Sequence, residues 1–254
     1  MKFYFILITS VFLNLNSCSS KKNILYVQDI DRTNFAKLLF KAPTIQASDI
    51  LKITVSTLEP SAALPYNKAT TMLGNVSSLE LMRLEGYEVS EDLTIEFTQL
   101  GTLSVLSQTP FQLANMIKQR LELEGHLINP VVNVRLLNAK FTVLGEVNKP
   151  GTYNFTESKL TLLQAIGLAG DLTINGQRKD VTLMREINHE RTIFHINLTE
   201  SDWMNSSSYY IYPNDVIFVD PNNTKVKSAG LVGNVGTVLT VASVLLSTII
   251  LLTR

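Results

Sequence analysis

The chain has 254 residues with 22 basic and 22 acidic side chains, three His and a single Cys. That length holds one large domain or two small ones with room for a real core, and a formal net charge of zero excludes a nucleic-acid partner, because no basic excess is present to displace phosphate counterions. One Cys excludes an internal disulfide framework and every multi-Cys zinc module.

With 17% charged residues the chain falls below the usual quarter for a soluble domain, and its mean hydropathy is positive. The apolar excess sits at the two ends. Lys2 is followed by an apolar run from Phe3 to Leu13, too short to span a bilayer, with no acidic residue before Asp29. This layout reads as a secretory signal over residues 1–17. Leu15-Asn16-Ser17-Cys18 then resembles the bacterial lipobox, in which the thiol at the new N-terminus, here Cys18, is acylated. The competing reading is an ordinary cleaved signal with an incidental Cys beside it. Residues 18–42 are polar and mixed, a tether ending in a short amphipathic stretch around Phe35, Leu38 and Leu39.

A first module covers residues 43–138. Ile50 to Val55 alternates apolar and polar and predicts a strand, residues 59–86 read mostly as loop, and Leu93–Phe97 and Leu103–Leu106 predict two further strands. Thr109-Pro110 opens a helix whose stripe is Leu113, Ala114, Ile117 and Leu121, and Gly125 stops it. Val131–Leu137 alternates again. A second module covers residues 139–222. Phe141–Val147 predicts a strand, Lys149-Pro150-Gly151 a turn, and Ser158 the cap of a helix over 159–169 that Gly170 ends. Strands at Asp180–Glu186, Thr192–Leu198 and Val216–Val219 complete it. The fold class is α+β, two small mixed domains.

The last segment, residues 223–254, contains 22 residues without formal charge, Leu231 to Leu252, about 33 Å as a helix and so a predicted membrane crossing. Gly233, Gly236, Thr237, Thr240, Ser243 and Ser247 recur at three- and four-residue steps on one face. Such a stripe suits packing against other helices in lipid, or a wet lumen inside a ring of helices.

Six stretches share their pattern with one family. Ala47-Ser48-Asp49-Ile50-Leu51-Lys52-Ile53-Thr54-Val55, Tyr87 to Gly101 and Asn129-Pro130-Val131-Val132-Asn133-Val134 resemble the export domain of the bacterial polysaccharide export proteins, of the outer-membrane Wza-like type. Val143-Leu144-Gly145-Glu146-Val147-Asn148-Lys149-Pro150-Gly151-Thr152-Tyr153, Leu160–Asp171 and Tyr210–Val219 resemble that family's soluble-ligand-binding β-grasp (SLBB) domain. The motif positions carried over are Asp49, Gly145, Pro150, Gly151, Gly170 and Asp215, as structural residues. Departures occur at Leu93, Thr98, Ser107 and Asp171, where the family commonly has Gly, Pro, Gly and Gly. Only one β-grasp domain fits this length. The resemblance implies periplasmic domains anchored to outer-membrane lipid through Cys18 in a Gram-negative bacterium, a homo-oligomeric ring, and export of capsular or exopolysaccharide in concert with an inner-membrane co-polymerase. It also implies that the C-terminal helices line an opening. The alternative is a membrane-tethered glycan-binding or scaffolding module without a pore.

Nothing in the sequence reads as an enzyme, and no cofactor or metal is expected. His126, His189 and His195 lack a ligand set with metal spacing. Glu122 and Glu124 are too close along a helix to face one another as an acid–base pair. Tyr209, Tyr210 and Tyr212 could stack on sugar rings or pack at a strand edge, and the second suits their strand context better.

Overall fold

The computed structural model describes residues 21–32, 40–68, 83–187, 190–229 and 235–252. Cys18, Gly233, His189 and the amphipathic stretch around Phe35 lie outside them. Two apolar clusters organise the rest, one drawn from Ile45 to Val134 and the other from Ala139 to Val219.

In the first cluster, strand β1 (Ile50–Ser56) turns Leu51, Ile53 and Val55 inward, as its alternation predicts. It is the centre of a three-stranded antiparallel sheet, between β2 (Tyr87–Glu88) and β5 (Val131–Leu136). Between them lie a one-turn helix α1 (Pro60–Ala63), a 3-10 turn at Leu64–Tyr66, and a hairpin of β3 (Thr94–Phe97) and β4 (Gly101–Ser104). The stretch read as loop is therefore partly structured. Asn67 ties its end to β1: the side-chain amide donates to the carbonyls of Val55 and Ala63 and accepts from the N–H of Val55. Helix α2 (Pro110–Leu123) buries the four stripe residues read from the sequence. Thr109 caps it in a reciprocal box with Gln112, and Gly125 follows with φ +75°.

The second cluster is built on a five-stranded sheet. Its strands are β6 (Lys140–Gly145), β7 (Gly151–Asn154), β9 (Gly176–Ile187), β10 (Glu190–Ile196) and β12 (Val216–Pro221), in the order β10-β9-β12-β6-β7. Only β12 and β6 pair in parallel. A small ladder joins β8 (Leu160–Thr161) to β11 (Tyr210–Ile211), and helix α3 (Leu162–Leu168) packs into the same core. This helix starts three residues later than its Ser158 cap predicts. Thr161 and Gln164 form the stronger signal, a capping box, and the two residues before Leu162 are committed to β8. Gly151 opens β7 without a positive φ, so the Pro150-Gly151 turn is not the type that requires glycine there.

Three of the four departures from the family pattern sit in left-handed backbone: Leu93 at φ +53°, Ser107 at +58° and Asp171 at +70°. The chain keeps the conformation that glycine would adopt freely. Leu93 is offset by packing on the first core, and Asp171 by accepting the N–H of Leu172. Ser107 is exposed and has no such contact. Ser107→Gly is expected to stabilise the first domain by about 0.5–1 kcal/mol, the left-handed penalty of a side chain less the extra unfolded-state entropy of Gly. In a thermal scan its transition should move up by roughly 3–6 °C; an unchanged or lower midpoint would contradict this.

The chain ends differ from the sequence reading. Residues 21–32 do not hang free. The N–H groups of Val27 and Gln28 donate to the carbonyls of Leu198 and Thr199 at 3.0 and 2.9 Å. The Tyr26 hydroxyl binds Asp171, and the Ser201 hydroxyl binds Asp29. The nominal tether is thus laid along the second domain. At the other end, Asn222 caps a short charged helix α4 (Asn223–Ala229), and α5 runs over Val235–Leu252. Among the described residues no helix is long and apolar enough to cross a membrane. The expected single crossing is corrected on that point: α5 has 18 residues, about 27 Å against a hydrocarbon core of roughly 30 Å. Residues 230–234, part of the uncharged stretch read from the sequence, lie outside the described residues.

Candidate functional site

Leu136 packs against both apolar clusters and marks where the two domains meet. Asn138, two residues on, fixes the junction. Its side chain accepts from the Ile50 N–H and donates to the Ser48 carbonyl, both at 2.9 Å. Arg83 bridges from the first domain to the Leu137 carbonyl and the Asn154 side chain. A segment over residues 40–46 laces the other side: Phe40 meets Tyr210 edge-on at 5.0 Å, and the Tyr212 hydroxyl donates to the Lys41 carbonyl at 2.5 Å. Beneath this segment lie two adjoining hollows of about 320 and 700 Å³.

One wall of the smaller hollow is an arginine that the sequence reading did not single out. Arg185, on the inward face of β9, is 5% exposed and makes a two-pronged pair with Asp215 at 2.9 and 2.7 Å. It also donates to the carbonyls of Ser207 and Tyr210, and its guanidinium lies 3.9 Å from the ring centre of Tyr212. Asp215 in turn accepts the N–H of Tyr212. Burial pushes the Asp215 carboxyl upward while Arg185 pulls it back. This hub closes the turn before β12 and is electrically balanced. The tyrosines serve packing: Tyr209 lies against Trp203 and Tyr210, and Tyr212 against Arg185.

Asp49 is a buried acid that lines this hollow directly, 6% exposed. Its carboxylate holds the N–H of Gln46 at 2.8 Å, and no cation among the described residues pairs with it. Burial pushes its pKa up to about 6, with the Gln46 bond pulling weakly the other way. A carboxyl raised in the fold binds protons more readily folded than unfolded, so its penalty is full above pH 6 and fades as pH falls toward its unfolded value. Asp49→Asn keeps an acceptor for Gln46 without the charge. It should stabilise the first domain at pH 7 by about 2–3 kcal/mol, two pKa shifts of about 1.4 each. In urea melts the gain should shrink steadily from pH 7 to pH 4; a gain constant with pH would show that ionisation is not the cause.

The remaining expected site residues serve structure. Gly145 has φ +89°, and a Cβ there would meet the Val219 carbonyl oxygen at 2.0 Å. Gly170 ends α3 at φ +75° against Asn148 and Lys149, whereas Pro150 is exposed and Gly151 is half-buried with open space where a Cβ would lie. On α5, the hydroxyls of Thr240, Ser243 and Ser247 donate back to carbonyls of their own helix at 2.8–2.9 Å. Gly236 lies on the same helix and supplies the carbonyl for Thr240. Thr237 is also within α5. These hydroxyl donors are satisfied without water, which lets the face lie against apolar material. The helix's aliphatic residues, including Leu239, Leu245, Leu246 and Ile250, are exposed.

Of the histidines, His195 pairs with Asp180 at 2.7 Å on the exposed sheet edge, and His126 contacts Tyr66 and Glu124. Among the described residues no three His, Cys, Asp or Glu side chains gather as a metal site.

Comparison with protein families assigns both halves of this architecture. Residues 41–137 match the family described as polysaccharide biosynthesis/export protein, and residues 139–219 match the SLBB domain. The matches fall one on each apolar cluster and leave only Asn138, the junction residue, between them. An export domain followed directly by an SLBB domain places this chain in the polysaccharide export family.

Proposed function

We propose that the chain is the protomer of an oligomeric outer-membrane channel that carries capsular or exopolysaccharide from the periplasm to the cell surface, without catalysing a reaction. Acylated Cys18 anchors it to outer-membrane lipid, and the two domains lie in the periplasm facing an inner-membrane co-polymerase. The observation that carries this reading is the pairing of the export and SLBB matches in one chain. The exposed aliphatic surface of α5 adds to it. An uncharged helix with self-satisfied hydroxyls and exposed aliphatic residues is suited to cover by lipid or by copies of itself.

Electron-microscope images of detergent-extracted protein should show closed rings, and the same particles should conduct in planar bilayers. Monomers without conductance would overturn the channel. They would favour a second reading, a membrane-tethered glycan-binding or scaffolding module. The specific observation on its side is that no described helix is long enough to cross a membrane. Cys18→Ala is expected to move the protein out of the outer-membrane fraction and to change the mass of the mature chain; unchanged fractionation and mass would refute the lipid anchor.

A further inference from the structure

The interdomain hollow under residues 40–46 contains an ionised group that the fold does not use well. Asp49 makes one side-chain hydrogen bond, to a turn that an asparagine would close equally well. Asp215, the buried acid behind Arg185, accepts three such bonds, two of them from that arginine. A buried carboxylate that costs stability, where a neutral isostere would serve the turn, is what a binding function leaves behind.

The surroundings of Asp49 define what would satisfy it. Apolar walls come from Pro43, Leu51, Leu136, Ile187 and Phe194, in a hollow of about 320 Å³. The other charged residues lining it are Lys41, Glu186 and Arg185. Arg185 is cancelled by Asp215, and Lys41 and Glu186 are exposed, Glu186 pairing with Arg191 at 3.1 Å. Among the described residues the buried carboxylate of Asp49 is left without an ion pair. An apolar slot with a single unbalanced carboxylate complements a single positive charge on an aliphatic stem. Neutral sugars are a poorer match, because their many hydroxyls would face walls that offer few acceptors.

We infer that the cleft between the export and SLBB domains is a receptor for a protonated primary amine on an aliphatic stem, a lysine side chain of a partner protein, whose ammonium pairs with Asp49. Seating such a side chain between two domains joined by few bonds fixes their relative orientation, so partner contact is coupled to protomer shape. The inference does not require that the chain form a pore, and its test is independent of conductance.

The probe is n-butylammonium, added to the full-length protein in detergent and followed by saturation-transfer NMR, with n-butanol, glucose and glucosamine as comparisons. Saturable binding of n-butylammonium is expected, at least tenfold weaker in Asp49→Asn, since a hydrogen bond to a charged group is worth about 1.5–3 kcal/mol. In the native chain, binding should weaken between pH 7.5 and pH 5 as Asp49 takes up a proton. The other ionisable groups facing the cleft are Lys41, Arg185, Glu186 and Tyr212. The same pH dependence in Glu186→Gln would leave Asp49 as its source. Asp49→Asn is expected to fold, and the pH arm on the native chain stands if it does not. Equal binding of n-butanol, unchanged binding by Asp49→Asn, or no saturable binding would overturn the inference. So would tighter binding of glucosamine than of n-butylammonium, which would point to an amino sugar, or saturable binding of glucose alone.

Discussion

Gly145→Ala is expected to unfold the SLBB domain at temperatures where the export domain remains folded. Gly145 ends β6 where that strand runs parallel to β12, paired with Val219. Two independent penalties meet at this position. The φ of +89° lies in the region that L side chains rarely adopt, which costs about 1–3 kcal/mol. The added methyl would also lie 2.0 Å from the Val219 carbonyl oxygen and 2.9 Å from its carbon. Those are backbone atoms within a hydrogen-bonded ladder, and they cannot rotate aside as a side chain would. The Glu146 N–H also donates to the Val219 carbonyl at 2.8 Å, so a shift that relieved the clash would break the bond that closes this corner. Together the loss should reach on the order of 3–5 kcal/mol, the range of exceptional single substitutions. For a domain of this size that is a fall of roughly 15 °C or more in the SLBB transition. Because the apolar clusters are separate, the export-domain transition should move little. A scan with both midpoints within about 2 °C of the parent would be incompatible with the clash.

The same residue shows how much of the fold was legible in the sequence. Gly145 stood out through its motif, but its reason, a carbonyl 74 residues away in sequence at Val219, belongs to tertiary packing. Regular elements were legible where one pattern dominated: β1 and β5 through alternation, α2 through a cap, a stripe and a terminal glycine. The start of α3 was misplaced because two hydroxyl residues competed. The signal that decides between them, Gln164 three residues after Thr161, was present in the sequence, just as Gln112 follows Thr109. Short strands such as β7, β8 and β11 have too few residues to show a period, and their partners are distant. The docking of Tyr26 to Gln28 on the SLBB domain had no local signal.

The candidate site was only half legible. Asp49 and Asp215 are family positions, with no sign that one lines the cleft and the other holds the arginine of its wall. Arg185 carried a readable anomaly: it continues the buried alternation of Val181 and Leu183 along β9. A charged residue in phase with a strand's apolar face must find a partner or leave the core. Its partner, however, is 30 residues further along the chain. Pairing at that range follows from sheet order, which periodicity does not determine.

Asp215→Ala is expected to be the most damaging of the side-chain deletions. Removing one member of a buried ion pair leaves the other charge without compensation, at a cost of about 3–5 kcal/mol. Here the guanidinium of Arg185 would keep the Ser207 and Tyr210 carbonyls and the rings of Tyr212 and Phe194, with no counter-charge from Asp215, and the Tyr212 N–H would lose its acceptor. Arg185→Met should be nearly as harmful, because it strands the carboxylate instead. A buried carboxylate without its arginine has its pKa raised further, so this variant should recover stability as pH falls, whereas Asp215→Ala should not. Combining Arg185→Met with Asp215→Asn removes both charges and keeps an acceptor for Tyr212. Its destabilisation should fall short of the sum of the single changes by about 2 kcal/mol or more in urea melts. Simple additivity would mean that the pair contributes as two separate packing residues. The consequence extends to the cleft, because Tyr212, stacked on Arg185, also holds the Lys41 carbonyl. Loss of the pair therefore releases the segment that covers Asp49, and should raise the solvent exchange of backbone amides near Lys41 before the SLBB core itself opens.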